Sequence, residues 1–338
     1  MINCKERIVK LNNSNKILWI ESLRGIACLI VLFAHLLNFN SEIGTFANGC
    51  GKIAVWFFFI ISGLFVVYNF NVDKLELNYV KKFYIKKIGR LYPTYIIGLI
   101  MAWGVGYIYD YKSFFRHILT VEGNKHFWYM AVILRFTLLI PFIQAIYIKI
   151  RSKKVFLLLV CGVAILFSVM FPWFIYEENS IDLKWYVPVF CMGIIMAYIF
   201  KYTEEIKLGL LGDFIAIAAS VSIFLMTPVS RYLLWGRVPT DYLQNKYIIV
   251  GVLWCLILFG VARGRHIIKI LDKAWMLHLV GKYSYAVYIF HVLIYCYFEE
   301  NGLSWGWNCL LTIVLSFVIS ILLEKLYLII KDKINISK

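Results

Sequence analysis

The chain has 338 residues, of which 62% are hydrophobic and only 16% are charged. Soluble domains carry about 25% charged residues, so this composition excludes an ordinary soluble globular protein. The formal net charge of +16 would suit a nucleic-acid partner, and only the position of the basic residues along the chain can decide between that interpretation and a topological one.

Long unbroken apolar runs predict transmembrane helices. Runs of roughly 18 to 20 apolar residues are typical of membrane spans, and the segments 53–67 and 309–323 are of this kind. We therefore predict an all-α, polytopic transmembrane bundle of about ten spans. They lie near residues 17–37, 51–71, 92–110, 127–148, 155–175, 185–200, 208–227, 247–262, 279–298 and 305–328.

The basic residues predict the orientation of these spans. With ten spans and both termini on one side, most of the 35 Lys and Arg residues fall in the segments on that side. Cytoplasmic loops carry such an excess, so both termini are predicted to be cytoplasmic, and no nucleic-acid partner is needed to explain the charge. The first apolar run follows a polar start over residues 1–16, which argues against a cleavable signal peptide. We predict one integral membrane domain over residues 1–338.

The first predicted span contains three ionisable residues, Glu21, Arg24 and His35. At 100° per residue, Arg24 and His35 lie about 20° apart around the helix, and Glu21 lies about 60° from Arg24. Ionisable groups within a span are costly, so this shared face should point into the bundle. Glu21 and Arg24 can form a structural or a functional pair, and His35 can be a general base or can bind a neighbouring helix carbonyl.

A basic segment follows the second span. In the sequence KKFYIKKIGRLYP at residues 81–93, helical spacing brings Lys82, Lys86 and Arg90 to one side, with Lys87 close by. This cationic patch can bind the headgroups of anionic lipids or the phosphates of a nucleotide-containing donor.

The remaining polar residues give weaker predictions. The eight cysteines show no C-x-x-C spacing, so neither a disulfide framework nor a metal site is predicted. Arg135 lies within a span and needs a carboxylate or a solvated cavity, for which Asp213 is a candidate partner. The outer segment 231–247 mixes aromatic and polar residues, which suits either contact with a sugar or an interfacial aromatic belt.

Five elements occur together in one order. They are Glu21–Ser22–Leu23–Arg24–Gly25 followed by His35, then Phe58–Phe59–Ile60–Ile61–Ser62–Gly63, then Lys87, Arg90, Leu91 and Pro93, then the span from Trp128 to Pro141, and finally Ser284, Tyr285, Tyr288 and His291. In this order they resemble the motifs of membrane acyltransferase family 3, which includes bacterial polysaccharide O-acetylases. The resemblance extends over about residues 16–328.

The resemblance implies an O-acyltransferase in the inner (cytoplasmic) membrane. Its donor would be acyl-CoA, usually acetyl-CoA, held at the cytoplasmic face by Lys86, Lys87 and Arg90. His35 would be a base or a transient acyl carrier, assisted by Arg24 and Glu21, and the acceptor would be a hydroxyl of a cell-surface or lipid-linked carbohydrate. The bilayer, acyl-CoA and carbohydrate are the expected partners. Candidate pocket residues are Ser62, Trp128, Ser284, Tyr288 and His291.

Each pocket residue also has a structural interpretation. Ser62 with Gly63 fits a close contact between helices, Trp128 fits a membrane interface, and His291 fits a histidine that only packs between helices.

The chain departs from the family pattern at several positions. Lys87 replaces an arginine, Ile133 occupies a position where many polysaccharide acetylases have Glu, and Arg135 and Thr137 stand where Gln and Tyr are common. These differences leave the acceptor open. The alternative functions are a transporter or flippase for a lipid-linked glycan, which would not need acyl-CoA, and a structural or sensory membrane subunit.

Overall fold

The fold is helical. A computed structural model describes residues 17–68, 70, 75–123, 125–236 and 245–333. Within these ranges the chain forms α-helices, short 3-10 turns and one isolated β-bridge between Gly209 and Gly264. The all-α prediction is confirmed.

Fourteen α-helices lie in the described part of the chain. They are α1 Leu18–Asn38, α2 Gly44–Ala47, α3 Cys50–Val67, α4 Leu77–Gly104, α5 Tyr111–Ile118, α6 Trp128–Lys149, α7 Lys153–Met170, α8 Val187–Tyr202, α9 Leu210–Leu225, α10 Pro228–Trp235, α11 Tyr247–Arg263, α12 Ile267–Lys273, α13 Trp275–Glu300 and α14 Trp305–Lys333. The 3-10 turns are Lys125–Phe127, Trp173–Ile175 and Leu183–Trp185.

Six of the helical segments are long and apolar enough to cross a membrane. These are Leu18–Asn38, Gly44–Val67, Lys125–Lys149, Lys153–Met170, Trp275–Glu300 and Trp305–Ile330, and the pair α9 and α10, bent by 75°, would make a seventh span. The helices α8 and α11 are apolar but shorter, with 16 and 17 residues. The chain is therefore a multi-pass membrane protein, although length and composition alone select fewer spans than the ten predicted.

The third predicted span and the basic segment before it form one helix. Instead of beginning near residue 92, α4 runs without a break from Leu77 to Gly104, with Pro93 inside it. Its first half carries the lysines and is largely exposed. Because these charged residues make it less apolar, α4 is not among the six helical segments named above.

Helix α1 lies at the centre of the part of the bundle that holds the ionisable residues. It packs along α13 and against α3, and α3 in turn packs along α8. Glycines allow these close approaches, because a Cβ at Gly281 would collide with the backbone carbonyl of Glu21, and one at Gly63 with that of Phe190. The predicted close helix contact at Gly63 is confirmed.

The suggested pairing of Arg135 with Asp213 is wrong. Arg135 donates to the backbone carbonyls of Ile181, at 2.7 Å, and Thr120, at 2.6 Å. Asp213 accepts hydrogen bonds from the backbone N–H groups of residues 265–267 at the start of α12. Both side chains thus satisfy backbone groups at turns, a role that spacing along the sequence does not reveal.

Candidate active site

A cavity of about 250 Å³ lies where one end of α1 meets α4, α13 and α14. Four basic side chains line it, Arg24 from α1, Lys87 and Arg90 from α4, and Lys282 from α13. We call this region the basic cavity. Two of the three predicted donor-binding residues therefore line one cavity, whereas the third, Lys86, is exposed and does not line it.

Arg24 is held in place by its neighbours. Its Nη1 lies 3.0 Å from Oε2 of Glu21, and its Nη2 donates to Oγ of Ser284 at 3.3 Å. The Ser284 hydroxyl in turn donates to the Gly281 carbonyl at 2.8 Å. The predicted pair of Glu21 and Arg24 is present, and Ser284 fixes the guanidinium against α13.

The cations of α4 are less completely paired. Arg90 lies 3.7 Å from a carboxylate oxygen of Glu324 on α14, and its side chain is 53% exposed, so water screens this ion pair strongly. Lys87 lines the same cavity and forms no ion pair among the described residues. The basic cavity thus concentrates more positive than negative charge.

Two histidines meet about three turns further along α1. His35 Nδ1 lies 2.7 Å from His291 Nε2, and the two rings stack with their centroids 4.9 Å apart. His291 Nδ1 lies 2.9 Å from the Val287 carbonyl, which can only accept, so this nitrogen carries the proton. In a neutral His291 ring, Nε2 is then the acceptor, and His35 Nδ1 must donate to it. This assignment leaves an unprotonated lone pair on His35 Nε2.

That lone pair faces a second cavity of about 390 Å³, which we call the histidine cavity. A Cβ placed on Gly51, which also lines this cavity, would lie 3.8 Å from His35 Nε2. Most of the other lining residues come from helix ends and loops, whereas Tyr288 and Val292 lie within α13. These other residues are Asn38, Phe39, Asn48, Gly49, Lys52, Val55, Tyr107, Lys125, His126, Trp128, Glu178, Asn179, Tyr288 and Val292.

Sequence reasoning did not single out His126 and Lys52 as residues of this cavity. His126 Nε2 donates a hydrogen bond to the Ile289 carbonyl at 3.1 Å, and its Nδ1 accepts one from the Tyr107 hydroxyl at 3.0 Å. Lys52 donates to Oδ1 of Asn179 at 2.7 Å. His126 stands two residues before Trp128, and this proximity is the signal in the sequence that points to it. Lys52 lies next to residue 51, where the second predicted span begins, and a charged residue at the edge of a span is no functional signal by itself.

Tyr288 separates the two cavities. It lines both of them, and its hydroxyl donates to the His126 carbonyl at 2.7 Å. A small void of about 10 Å³ shares Phe58, Ser284 and Tyr288 with the basic cavity and Tyr288 with the histidine cavity, and His291 also lines it. The three spaces follow α1 from Arg24 to His35, over roughly 16 Å at 1.5 Å per residue.

The other predicted pocket residues also lie at these cavities. Ser62 lines the basic cavity, and its hydroxyl donates to the Phe58 carbonyl at 2.8 Å. Trp128 lines the histidine cavity, stacks on Tyr186 and lies under the Lys52 ammonium. Residues 237–244 of the segment 231–247, for which contact with a sugar is one prediction, lie outside the described ranges, and the other residues of the segment line neither cavity. Among the described residues, no group of three or more His, Cys, Asp or Glu side chains is arranged to hold a metal ion.

The protein is thus a multi-pass helical membrane protein with a cation-lined cavity at one end of α1 and a histidine-lined cavity further along the same helix. The family model of acyltransferase family 3, described as an acyltransferase domain, matches residues 17–325. The chain therefore belongs to this family of membrane acyltransferases. Neither the curated proteins nor the solved structures contain a match.

Proposed function

We propose that the protein transfers an acyl group, an acetyl group in the simplest case, from acyl-CoA to a hydroxyl of a cell-surface or lipid-linked carbohydrate. The observation that carries this proposal is the lone pair of His35 Nε2, which faces the histidine cavity while Nδ1 is engaged by His291. A histidine oriented in this way is suited to remove a proton from a hydroxyl.

The basic cavity is the proposed donor site. Coenzyme A carries several phosphate groups at one end and the acyl thioester at the end of a long flexible arm. Lys87, Arg90 and Lys282 supply cations for the phosphates, and the guanidinium of Arg90 can bind two phosphate oxygens at once. From there the arm would follow α1 past Ser284, and the Tyr288 side chain, which separates the cavities, would have to move aside for the thioester to reach His35.

The proposed reaction consumes only acyl-CoA and the acceptor hydroxyl, and His35 is regenerated. His35 Nε2 takes the proton of the acceptor hydroxyl, and the oxygen attacks the thioester carbonyl carbon. The carbon–sulfur bond then breaks, the ester forms, and the imidazolium returns the proton to the departing thiolate to give free CoA. His291 keeps His35 in the required tautomer and supports the positive charge that develops on it.

The positions of the two cavities also support a particular arrangement of the chain in the membrane. We propose that α4, α8, α11 and the bent pair α9 and α10 cross the membrane together with the six long helices, which makes ten spans. The protein would lie in the inner membrane of the cell, with both termini in the cytoplasm. The basic cavity would then be open to cytoplasmic acyl-CoA. The histidine cavity would lie in the outer half of the membrane, where a surface glycan can reach it.

Comparison of glycans from expressing cells tests the proposed function. Cells that produce wild-type protein, His35→Ala or His278→Ala are compared by mass spectrometry at matched membrane levels. His278 is a matched control because it lines neither cavity and its side chain hydrogen-bonds to the Leu271 carbonyl. We expect one acyl increment with the wild type and with the control, and a loss of about 10³-fold in transfer rate with His35→Ala.

Three other outcomes would change this proposal. An increment that persists in His35→Ala would remove this histidine from the chemistry, and an acyl group found covalently on His35 would replace the base by a carrier. Glycan export that fails in His35→Ala while acylation continues would favour a transporter.

A further inference from the structure

The histidine cavity contains an ammonium group that proton removal by His35 does not require. Lys52 lies in the first turn of α3, and only 8% of its surface is exposed. Its Nζ donates to Oδ1 of Asn179 and lies 4.2 Å from the centroid of the Trp128 ring. The side chain is therefore held in one position at the wall of the cavity.

The Lys52 ammonium forms no direct ion pair within the described part of the chain. Glu178, which lines the same cavity, acts on it electrostatically but lies beyond ion-pair distance of its Nζ. An ammonium has three N–H donors, and the Asn179 amide takes one of them. A buried cation is costly unless an anion is paired with it, so an anionic ligand in the cavity would satisfy it.

A second cation lies at the same cavity. The Lys125 ammonium is 3.8 Å from the centroid of the Tyr107 ring, and both residues line the cavity. Lys125 and Asn179 have positive φ angles of 52° and 57°, which non-glycine residues rarely adopt. The lining thus has two lysines against one glutamate, Glu178, and its net charge is positive.

The rest of the lining suits a sugar. Asparagine amides supply paired donors and acceptors for hydroxyl groups, and Phe39, Tyr107 and Trp128 add aromatic surface to the lining. The volume of about 390 Å³ falls in the range of small-molecule sites.

We infer that the acceptor is an acidic carbohydrate, whose carboxylate or phosphate binds Lys52 while His35 removes the proton from a neighbouring hydroxyl. The inference rests on the proposed acyl transfer and names the class of its acceptor. A carboxylate would come from a sugar acid within the glycan, and a phosphate from a phosphorylated sugar or from the lipid carrier of the glycan. Both would accept the two remaining N–H groups of Lys52.

Ligand binding to the purified protein in lipid nanodiscs, without any acyl donor, tests this site. The probes are glucuronic acid, glucuronic acid methyl ester, glucose 1-phosphate and glucose. We expect at least one acidic probe to bind about tenfold more tightly than its neutral counterpart. Tighter binding of glucuronic acid would identify a carboxylate as the anion, and tighter binding of glucose 1-phosphate would identify a phosphate. Equal affinities for all four probes would overturn the inference.

Three lysine variants connect that preference to one side chain. Lys52→Met removes the charge but keeps the length of the side chain, and we expect the preference for an acidic probe to disappear. Lys52→Arg keeps the charge and should retain it. Lys184→Met is the matched control, because Lys184 also lies near aromatic rings but has its own carboxylate partner, Asp182. A preference that survives in Lys52→Met would overturn the assignment.

The same variants separate this inference from the proposed function. If glycan acylation is never detected but the anion preference depends on Lys52, the acyl-transfer proposal fails and the binding site remains. If acylation is detected, Lys52→Met should raise KM for an acidic acceptor about tenfold, with little change for the neutral ester. An equal fall of kcat for both acceptors would instead mean that Lys52 acts on the reacting thioester, and the inference would be wrong.

Discussion

The two cavities on α1 hold their polar groups in different ways. In the basic cavity, Lys87 and Arg90 lie near the middle of α4, and both are exposed. In the histidine cavity His291 and Lys52 are buried, and their ring and amide partners lie at 2.7 Å. Exposed charges attract a ligand without fixing its orientation, whereas buried and hydrogen-bonded groups orient a reacting atom. The basic cavity is thus built to capture a ligand and the histidine cavity to position one.

The largest effect expected from this difference is on catalysis at the histidine cavity. His291→Ala leaves His35 Nδ1 without its acceptor, so the tautomer and the ring orientation are no longer fixed. By analogy with the loss of groups that orient a reactive histidine, we expect kcat to fall about 10- to 100-fold with little change in the affinity for CoA.

His291→Gln is the conservative control, because its amide oxygen can replace Nε2 as the acceptor. It should recover part of the lost kcat. Equal losses in the Ala and Gln variants, measured as turnover in nanodiscs, would mean that His291 only fills space.

An effect of intermediate size is expected at the basic cavity. Arg90→Ala removes one charge-assisted phosphate contact, so the dissociation constant of CoA should rise about tenfold. Binding to the purified protein measures this change, and the rise should shrink as the salt concentration increases.

Lys82→Ala is the matched control on the same helix, since Lys82 is exposed and does not line the cavity. The donor site would have to be sought elsewhere if Lys82→Ala weakened CoA binding as much as Arg90→Ala does.

The smallest effect concerns Glu324. Its carboxylate lies 3.7 Å from Arg90 and competes with a phosphate for the guanidinium. Because exposed ion pairs contribute about 0.2 to 1 kcal/mol, Glu324→Gln should tighten CoA binding about two- to threefold.

Weaker CoA binding in Glu324→Gln would show that this carboxylate helps to form the site. The charge-conserving variant Glu324→Asp, as a control, should stay close to the wild type.

The sequence alone determined the helical class, the boundaries of most helices and the family. Long apolar runs have few alternatives to a membrane helix, because unpaired backbone groups are costly in lipid. Helical periodicity also indicated that Glu21, Arg24 and His35 share one face, and all three contact α13. The motif that contains Lys87 and Arg90 indicated one wall of the basic cavity.

Only the tertiary structure decided which residues meet across the bundle. His35 and His291 are 256 residues apart along the chain, and Lys52 and Asn179 are 127 apart. Periodicity describes the faces of a single helix, and it carries no information about which loops fold over that helix. The histidine cavity is formed largely from such loops and helix ends, so its contents, including Lys52 and His126, became visible only when the helices were packed together.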